Sequence, residues 1–271
     1  MEQEIRGEIA RFIRDEQTCR FPDSGLPYFD EPLIGLAAAG DPLFTQYRTV
    51  IGPFHQTPAE VLPGAATVFC WSLPITRATR ETNRGERRFP SREWAWTRSF
   101  GEQCNTALRR RVVALLEGAG HRAVAPQLAP GWRELADPTA GIASTWSERH
   151  AAHAAGLGTF SLSGALITVR GVSHRLGSVI TDLALPPTPR PYKEPGEWCL
   201  FLANGTCGVC VERCPAGSIA RDGRNKIPCR DHVYGSAPAT VAERYGVTAT
   251  GCGLCQTRVP CEGRIPAGLA P

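Results

Sequence analysis

No stretch of this 271-residue sequence stays apolar for the roughly 18–20 residues that a membrane-spanning helix needs. The expectation is therefore a protein that does not cross a membrane. The opening residues, MEQEIRGEIARFIRDE, have no apolar core of the kind found in a secretory leader, which makes the cytoplasm the expected compartment. A strong charge of one sign is missing too. The net charge is +4 with 21% charged residues, so nothing global argues for a nucleic-acid binder. No internal repeat occurs apart from two similar cysteine runs. What remains is an ordinary folding composition, 42% hydrophobic, in a chain long enough for one large or two smaller folded units.

Cysteine is scarce through most of the chain and then abundant. Three of the eleven (Cys19, Cys70 and Cys104) lie in the first 198 residues, and eight fall between Cys199 and Cys261. The proline-rich LPPTPRPYKEPGEW (185–198) precedes the crowded part; its prolines fix the backbone and remove donors, which favours an extended connector. Two domains are expected, residues 1–190 and 191–271. In a reducing compartment, clustered cysteines bind metal more often than they pair. Cys19, Cys70 and Cys104, with no base beside them in sequence, are expected to be unpaired core thiols.

In the larger part, Ile5, Ile9, Phe12 and Ile13 recur at helical spacing and predict a helix over residues 3–16. AATVFCWSLP (65–74) reads as a buried strand ended by proline. Apolar positions from Phe100 to Leu116 predict a second helix, stopped by Gly118 and Gly120. HRAVAP is a short strand. STWSERHAAHAAGLG predicts a third helix capped by Ser144 or Thr145 and ended by Gly156, followed by strands in GALITVR and LGSVITDLAL. Helices between separated strands indicate a layered α/β or α+β fold. Between Arg77 and Arg111 stand ten arginines and four glutamates, with Trp94 and Trp96 among them. This is either a solvated helix-and-loop surface or a patch for an anionic ligand, since the guanidinium fork matches phosphate and carboxylate. RNA is a conceivable partner, but no RNA-reading motif is present.

The cysteine spacing carries the chemistry. Cys207-x2-Cys210-x3-Cys214-Pro is most of the ferredoxin signature C-x2-C-x2-C-x3-C-P, in which three thiolates hold one cluster and the one before proline crosses to a second. Asn204 stands where the first cysteine is expected, and Cys199 can supply that thiolate from a longer loop. Proline suits a first helical turn, so a helix is expected to begin at Pro215-Ala216, where its amides would favour a negative cluster. By the crossover logic, Cys199, Cys207, Cys210 and Cys261 hold one [4Fe-4S] cluster and Cys214, Cys229, Cys252 and Cys255 the other. Zinc is the competing reading, because two C-x2-C pairs resemble a zinc ribbon, but it leaves Cys214, Cys229 and Cys261 unexplained.

The order ERHAAHAAGLGTFSLSGALIT, LGSVITDLAL, then GTCGVCVERCP and CGLC resembles the epoxyqueuosine reductase-like iron–sulfur proteins, relatives of the corrinoid-dependent reductive dehalogenases, as a short form without their C-terminal helical extension. The resemblance covers roughly residues 65–262. It implies an α+β fold with a nitroreductase-like core, followed by a two-cluster, bacterial-ferredoxin-like module that delivers electrons. It also implies a cobalamin, with FMN as the alternative, beside Gly156, Leu157, Gly158, Thr159, Ser161 and Ser163. The acidic proton donor of those enzymes has no counterpart here; Ile142 or Ser144 stands about where it would be. Glu148, His150 and His153, on the helix before the glycine segment, are the candidates for proton chemistry, against a helix-start charge and satisfied histidines as the plainer readings. The expected function is an iron–sulfur oxidoreductase. It would take single electrons from a reduced ferredoxin or flavodoxin-type donor and reduce a small-molecule or nucleoside-like substrate. The alternatives are an electron carrier with no substrate of its own and a structural or regulatory iron–sulfur binder.

Overall fold

The computed structural model describes residues 1–137 and 141–269. In chain order the first elements are α1 (Glu2–Asp15), β1 (Leu33–Ala38), α2 (Pro42–Ile51), α3 (Pro58–Val61), β2 (Thr67–Pro74), α4 (Arg77–Arg84) and α5 (Arg92–Gly118). Next come β3 (Ala123–Val124), β4 (Glu134–Asp137), β5 (Gly141–Ser144), α6 (Glu148–Ala154), β6 (Gly158–Phe160), β7 (Leu166–Thr168) and β8 (His174–Thr181). The cysteine-rich part contributes α7 (Leu200–Asn204), α8 (Val209–Glu212), β9 (Ile219–Ala220), β10 (Gly223–Arg224), α9 (Lys226–Asp231) and α10 (Ala237–Tyr245).

One antiparallel sheet, in the order β1-β2-β8-β3, organises the first two thirds of the chain. All eight residues of β2 are buried, because helices cover both faces of this central strand. Phe69, Trp71 and Leu73 point into a core shared with α1 and α5, while Val68 and Cys70 point into a second core with α2 and α6. This period-two alternation places α1 and α5 on one side of the sheet and α2 and α6 on the other. A short close approach fixes β1 against α6: a Cβ on Gly35 would come within 2.2 Å of the Ala155 carbonyl oxygen, so only glycine fits.

The helix expected from Phe100 begins eight residues earlier, at Arg92, where the Ser91 hydroxyl accepts from the Trp94 amide as an N-cap. The third helix starts later than expected. Ser144 pairs in β5 with Glu134, and Ser147 stands at the cap of α6. No helix begins at Pro215-Ala216: Gly217 takes φ +60, the chain turns, and the β9–β10 hairpin follows. Residues 183–198 form a connector without helix or strand. Cys19 and Cys104 are a disulfide, not free thiols. The short turn after α1 packs on α5 and brings the two sulfurs together in the core, whereas Cys70 stays an unpaired buried thiol.

The cysteine-rich part is docked on the sheet domain by polar contacts. Arg213 donates from Nη1 to the Glu86 carbonyl at 2.8 Å and from Nη2 to the Asn83 carbonyl at 3.3 Å. Its Nε faces the Leu254 and Thr257 carbonyls at 3.2 and 3.1 Å. Glu262, buried, accepts from Arg84 at 2.8 Å, and Trp96 donates to the Tyr245 carbonyl at 2.6 Å. No helix among the described residues is long and apolar enough to cross a membrane.

Candidate functional site

The eight late cysteines separate into two neighbourhoods. Cys261 has Cys199, Cys210 and Cys207 as its charged neighbours, and Cys210 has Cys199 and Cys207. Cys255 has Cys252, Cys214 and Cys229, and Cys252 has Cys229 and Cys214. Burial, and then the neighbouring sulfurs, push Cys210 up to about 11 and Cys261 up to about 12, while burial pushes Cys252 up to about 11. Among the described residues no three His, Cys, Asp or Glu side chains converge to hold a single metal ion.

The two neighbourhoods differ in their surroundings. The first thiol set lines a narrow space whose other walls are mostly apolar, including Ile167, Leu200, Phe201, Val259 and Pro266, with Ser161 and Ser163 beside them. The second lines a cavity of about 230 Å³ that also receives Arg98, Arg149, Arg175 and Arg224. Cys255 and Ser163 line both spaces. Backbone and side-chain donors already face the second set: the Ser218 amide lies 3.3 Å from Cys214 Sγ, and Arg224 Nη2 lies 3.9 Å from Cys229 Sγ. Trp94 closes the cavity over Gly253. That residue has φ +66, and a Cβ there would come within 1.9 Å of the indole, so glycine is required twice over.

A third space, about 440 Å³, opens between α2, β5, α6 and the β6–β7 hairpin. Tyr47, His150, His153 and Phe160 form one wall, Ile142 and Ser144 another, and Arg149, Arg224 and Lys226 the basic end. Arg149 and Arg224 line this cavity and the second thiol cavity alike, so they stand between the two. Burial, then Arg224, lowers Arg149 to about 10, leaving it charged at neutral pH. Burial drives His150 well below its ordinary value, with Arg149 adding to the effect; burial and then Arg190 bring His153 down to about 4. Both rings are neutral at pH 7.

The residues nominated from sequence scatter around this arrangement. His150 and His153 line the 440 Å³ cavity, whereas Glu148 does not. It lies buried 3.5 Å from Arg109 Nη2, where burial raises its carboxyl against the pull of that arginine. Gly156, Leu157, Gly158 and Thr159 are packed into the protein. Gly158 lies against the Ile167 backbone, and the Thr159 hydroxyl accepts from the Trp198 amide at 3.0 Å. Ser161 and Ser163, 2.8 Å apart, sit at the hairpin tip against the thiols. Sequence reasoning did not single out Phe160, Arg149, Arg224 or Lys226, and it could not place Tyr47. The arginines between Arg77 and Arg111 are mostly committed to carboxylates, as Arg77–Glu81, Arg92–Asp23, Arg109–Glu102 and Arg111–Glu8, so that stretch is not a uniform anion patch.

No known family profile matches the chain, and no curated protein matches it. Solved structures do. An epoxyqueuosine reductase bound to an epoxyqueuosine-modified tRNA-Tyr stem loop aligns over 100% of this chain and 67% of its own, at 17% identity and TM-score 0.56. The enzyme from Streptococcus thermophilus aligns over 100% and 69%, at 16% identity and TM-score 0.54. The catabolic reductive dehalogenase NpRdhA aligns over 87% of this chain but 30% of its own, at 14% identity and TM-score 0.52. The fold is thus that of a group of reductases. Within it, the chain resembles the epoxyqueuosine reductases over the larger share of their length, as the cysteine and glycine motifs imply.

Proposed function

We propose that this protein is an iron–sulfur reductase in which residues 1–190, a nitroreductase-like domain, carry the reaction site and residues 191–271 form a ferredoxin-like electron-input module. Cys199, Cys207, Cys210 and Cys261 would hold one [4Fe-4S] cluster and Cys214, Cys229, Cys252 and Cys255 the other. The observation that carries this reading is the sorting of eight thiols into two sets of four, with Arg149 and Arg224 lining both the second set's cavity and the 440 Å³ cavity. The residues fit the group. A cubane needs four thiolates, and the donors facing Cys214 and Cys229 are those that stabilise a negatively charged cluster. When bound, such clusters supply single electrons; the donor would be a reduced ferredoxin or flavodoxin-type protein.

At about 440 Å³ the cavity lies at the small end of the range for organic ligands, enough for a flavin mononucleotide or a substrate-sized molecule. The space opens to the surface, so a larger group such as cobalamin would be enclosed only in part by these residues, and no step is routed through it.

The hydrogen bond to a bound molecule would come from His153. Burial raises Tyr47 well above its ordinary value, so its hydroxyl keeps its proton, and in the proposed arrangement it donates to His153 Nδ1, 2.9 Å away. A neutral ring that accepts at Nδ1 carries its proton on Nε2. That atom is buried and has no partner among the described residues. His153 Nε2–H is therefore the group available to a bound molecule, and Tyr47 the group that sets its tautomer. Chemical analysis of oxygen-protected, reconstituted protein tests the cluster assignment. Cys210→Ser and Cys252→Ser should each remove about half of the iron, and the double variant nearly all. Full iron in both single variants would reject the two-set reading.

A further inference from the structure

The basic end of the 440 Å³ cavity is built, not incidental. Arg149, on α6, and Arg224, at the end of β10, come from opposite parts of the chain and converge on Gly164. A Cβ at that glycine would lie 2.7 Å from Arg224 Nη1 and 3.7 Å from Arg149 Nη1, and its φ of +72 independently favours glycine. The missing side chain is what leaves room for two guanidinium groups side by side. Neither arginine forms an ion pair with a carboxylate among the described residues, and no Asp or Glu lines this cavity. Arg149 donates to the Gly164 carbonyl, and Arg224 Nε is buried without an acceptor. Lys226 lines the same end. Two arginines side by side, with the rings of Phe160 and His150 tilted at 42° and 4.7 Å apart by their centroids on the adjoining wall, describe a complement to one kind of molecule.

We propose that Arg149 and Arg224, assisted by Lys226, seat the anionic head, a carboxylate or a phosphate monoester, of a flat ring-bearing molecule whose ring lies against Phe160 and His150. This rests on the reductase reading and deepens it: the molecule held there, whether a flavin mononucleotide or an organic-acid substrate, sits across two arginine side chains from the second thiol set. Those arginines face the thiols as well, so the seat is tested by ligand binding and not by redox behaviour.

The experiment is equilibrium binding to reconstituted protein of known iron content, with FMN against riboflavin and with phenyl phosphate and benzoate against benzamide. Arg149→Gln is the main variant and Lys226→Gln the second, in case the first unsettles the hairpin at Gly164. At least one charged probe should bind about 10- to 100-fold more tightly than its neutral counterpart, the gain expected of charge-assisted hydrogen bonds. Arg149→Gln should erase most of that preference, and Lys226→Gln part of it, with iron content unchanged. A preference confined to FMN identifies a resident flavin; one seen with benzoate or phenyl phosphate identifies a substrate acid. Equal binding of charged and neutral probes, or a preference that survives both substitutions, overturns the seat. Absence of iron in the starting protein would instead defeat the reductase reading, which separates the two failures.

Discussion

Glu102 sits between two arginines, and they decide its charge. Burial raises its carboxyl, but Arg175 and Arg109 outweigh that and hold it down at about 2. A depressed carboxyl stabilises the fold above its unfolded value of 4.5 and loses that contribution as pH falls from 4.5 toward 2. Glu102→Gln should therefore cost on the order of 3 kcal/mol at pH 7 in chemical denaturation and flatten the acid limb of the stability curve. Histidines act in a different window. Burial brings His55, His153 and His174 down to about 4, so the folded state binds fewer protons than the unfolded chain between pH 6.5 and 4, and stability should already decline across that interval. A stability profile flat from pH 7 to 4 would contradict both the burial and the neutral state assigned to His153. At Gly253 the expected outcome is steric: Gly253→Ala should destabilise by about 1–3 kcal/mol and shift tryptophan fluorescence as Trp94 is pushed off the second thiol cavity.

Among the elements, some were legible in the sequence and others were not, for physical reasons. β2 and β8 announce themselves as β-branched and aromatic runs because both are buried. β1 does not: LIGLAA is short and broken by Gly35, which is there for the approach of α6 and carries no strand signal. The two cysteine runs were legible because ligand spacing is local, while the grouping of Cys199 and Cys261 with Cys207 and Cys210, suggested by counting, stands as a proposal. The cavity was not legible. Its walls come from α2, β5, α6, the β6–β7 hairpin and the start of α9, so Tyr47, Phe160 and Lys226 meet only after folding. Nor was the Cys19–Cys104 bridge, since 85 residues separate two cysteines with no pairing pattern between them. The contact between α8 and the sheet domain gives a prediction at this scale. Arg213→Ala strands carbonyls of Asn83, Glu86, Leu254 and Thr257, and should cost about 2–3 kcal/mol while loosening the cysteine-rich part first, read as local loss of amide protection in hydrogen exchange.

For the whole molecule, the three spaces share walls in series: Cys255 and Ser163 line both thiol spaces, and Arg149 and Arg224 line both the second thiol space and the small cavity with a neutral histidine. Ion pairs and hydrogen bonds from Arg84, Asn83 and Trp96 tie the cysteine-rich part to the sheet domain, so electrons would pass between fixed positions and not by a swinging carrier. In the proposed reading, the arginines lining the second set would stabilise its reduced form and direct electrons toward the cavity. The most direct test is electron paramagnetic resonance of oxygen-protected, reconstituted protein reduced with dithionite. The account predicts about two unpaired spins per chain with signals of reduced [4Fe-4S] centres, falling to about one in Cys210→Ser. A spectrum with no cluster signal, from protein containing stoichiometric zinc and no acid-labile sulfide, would contradict it.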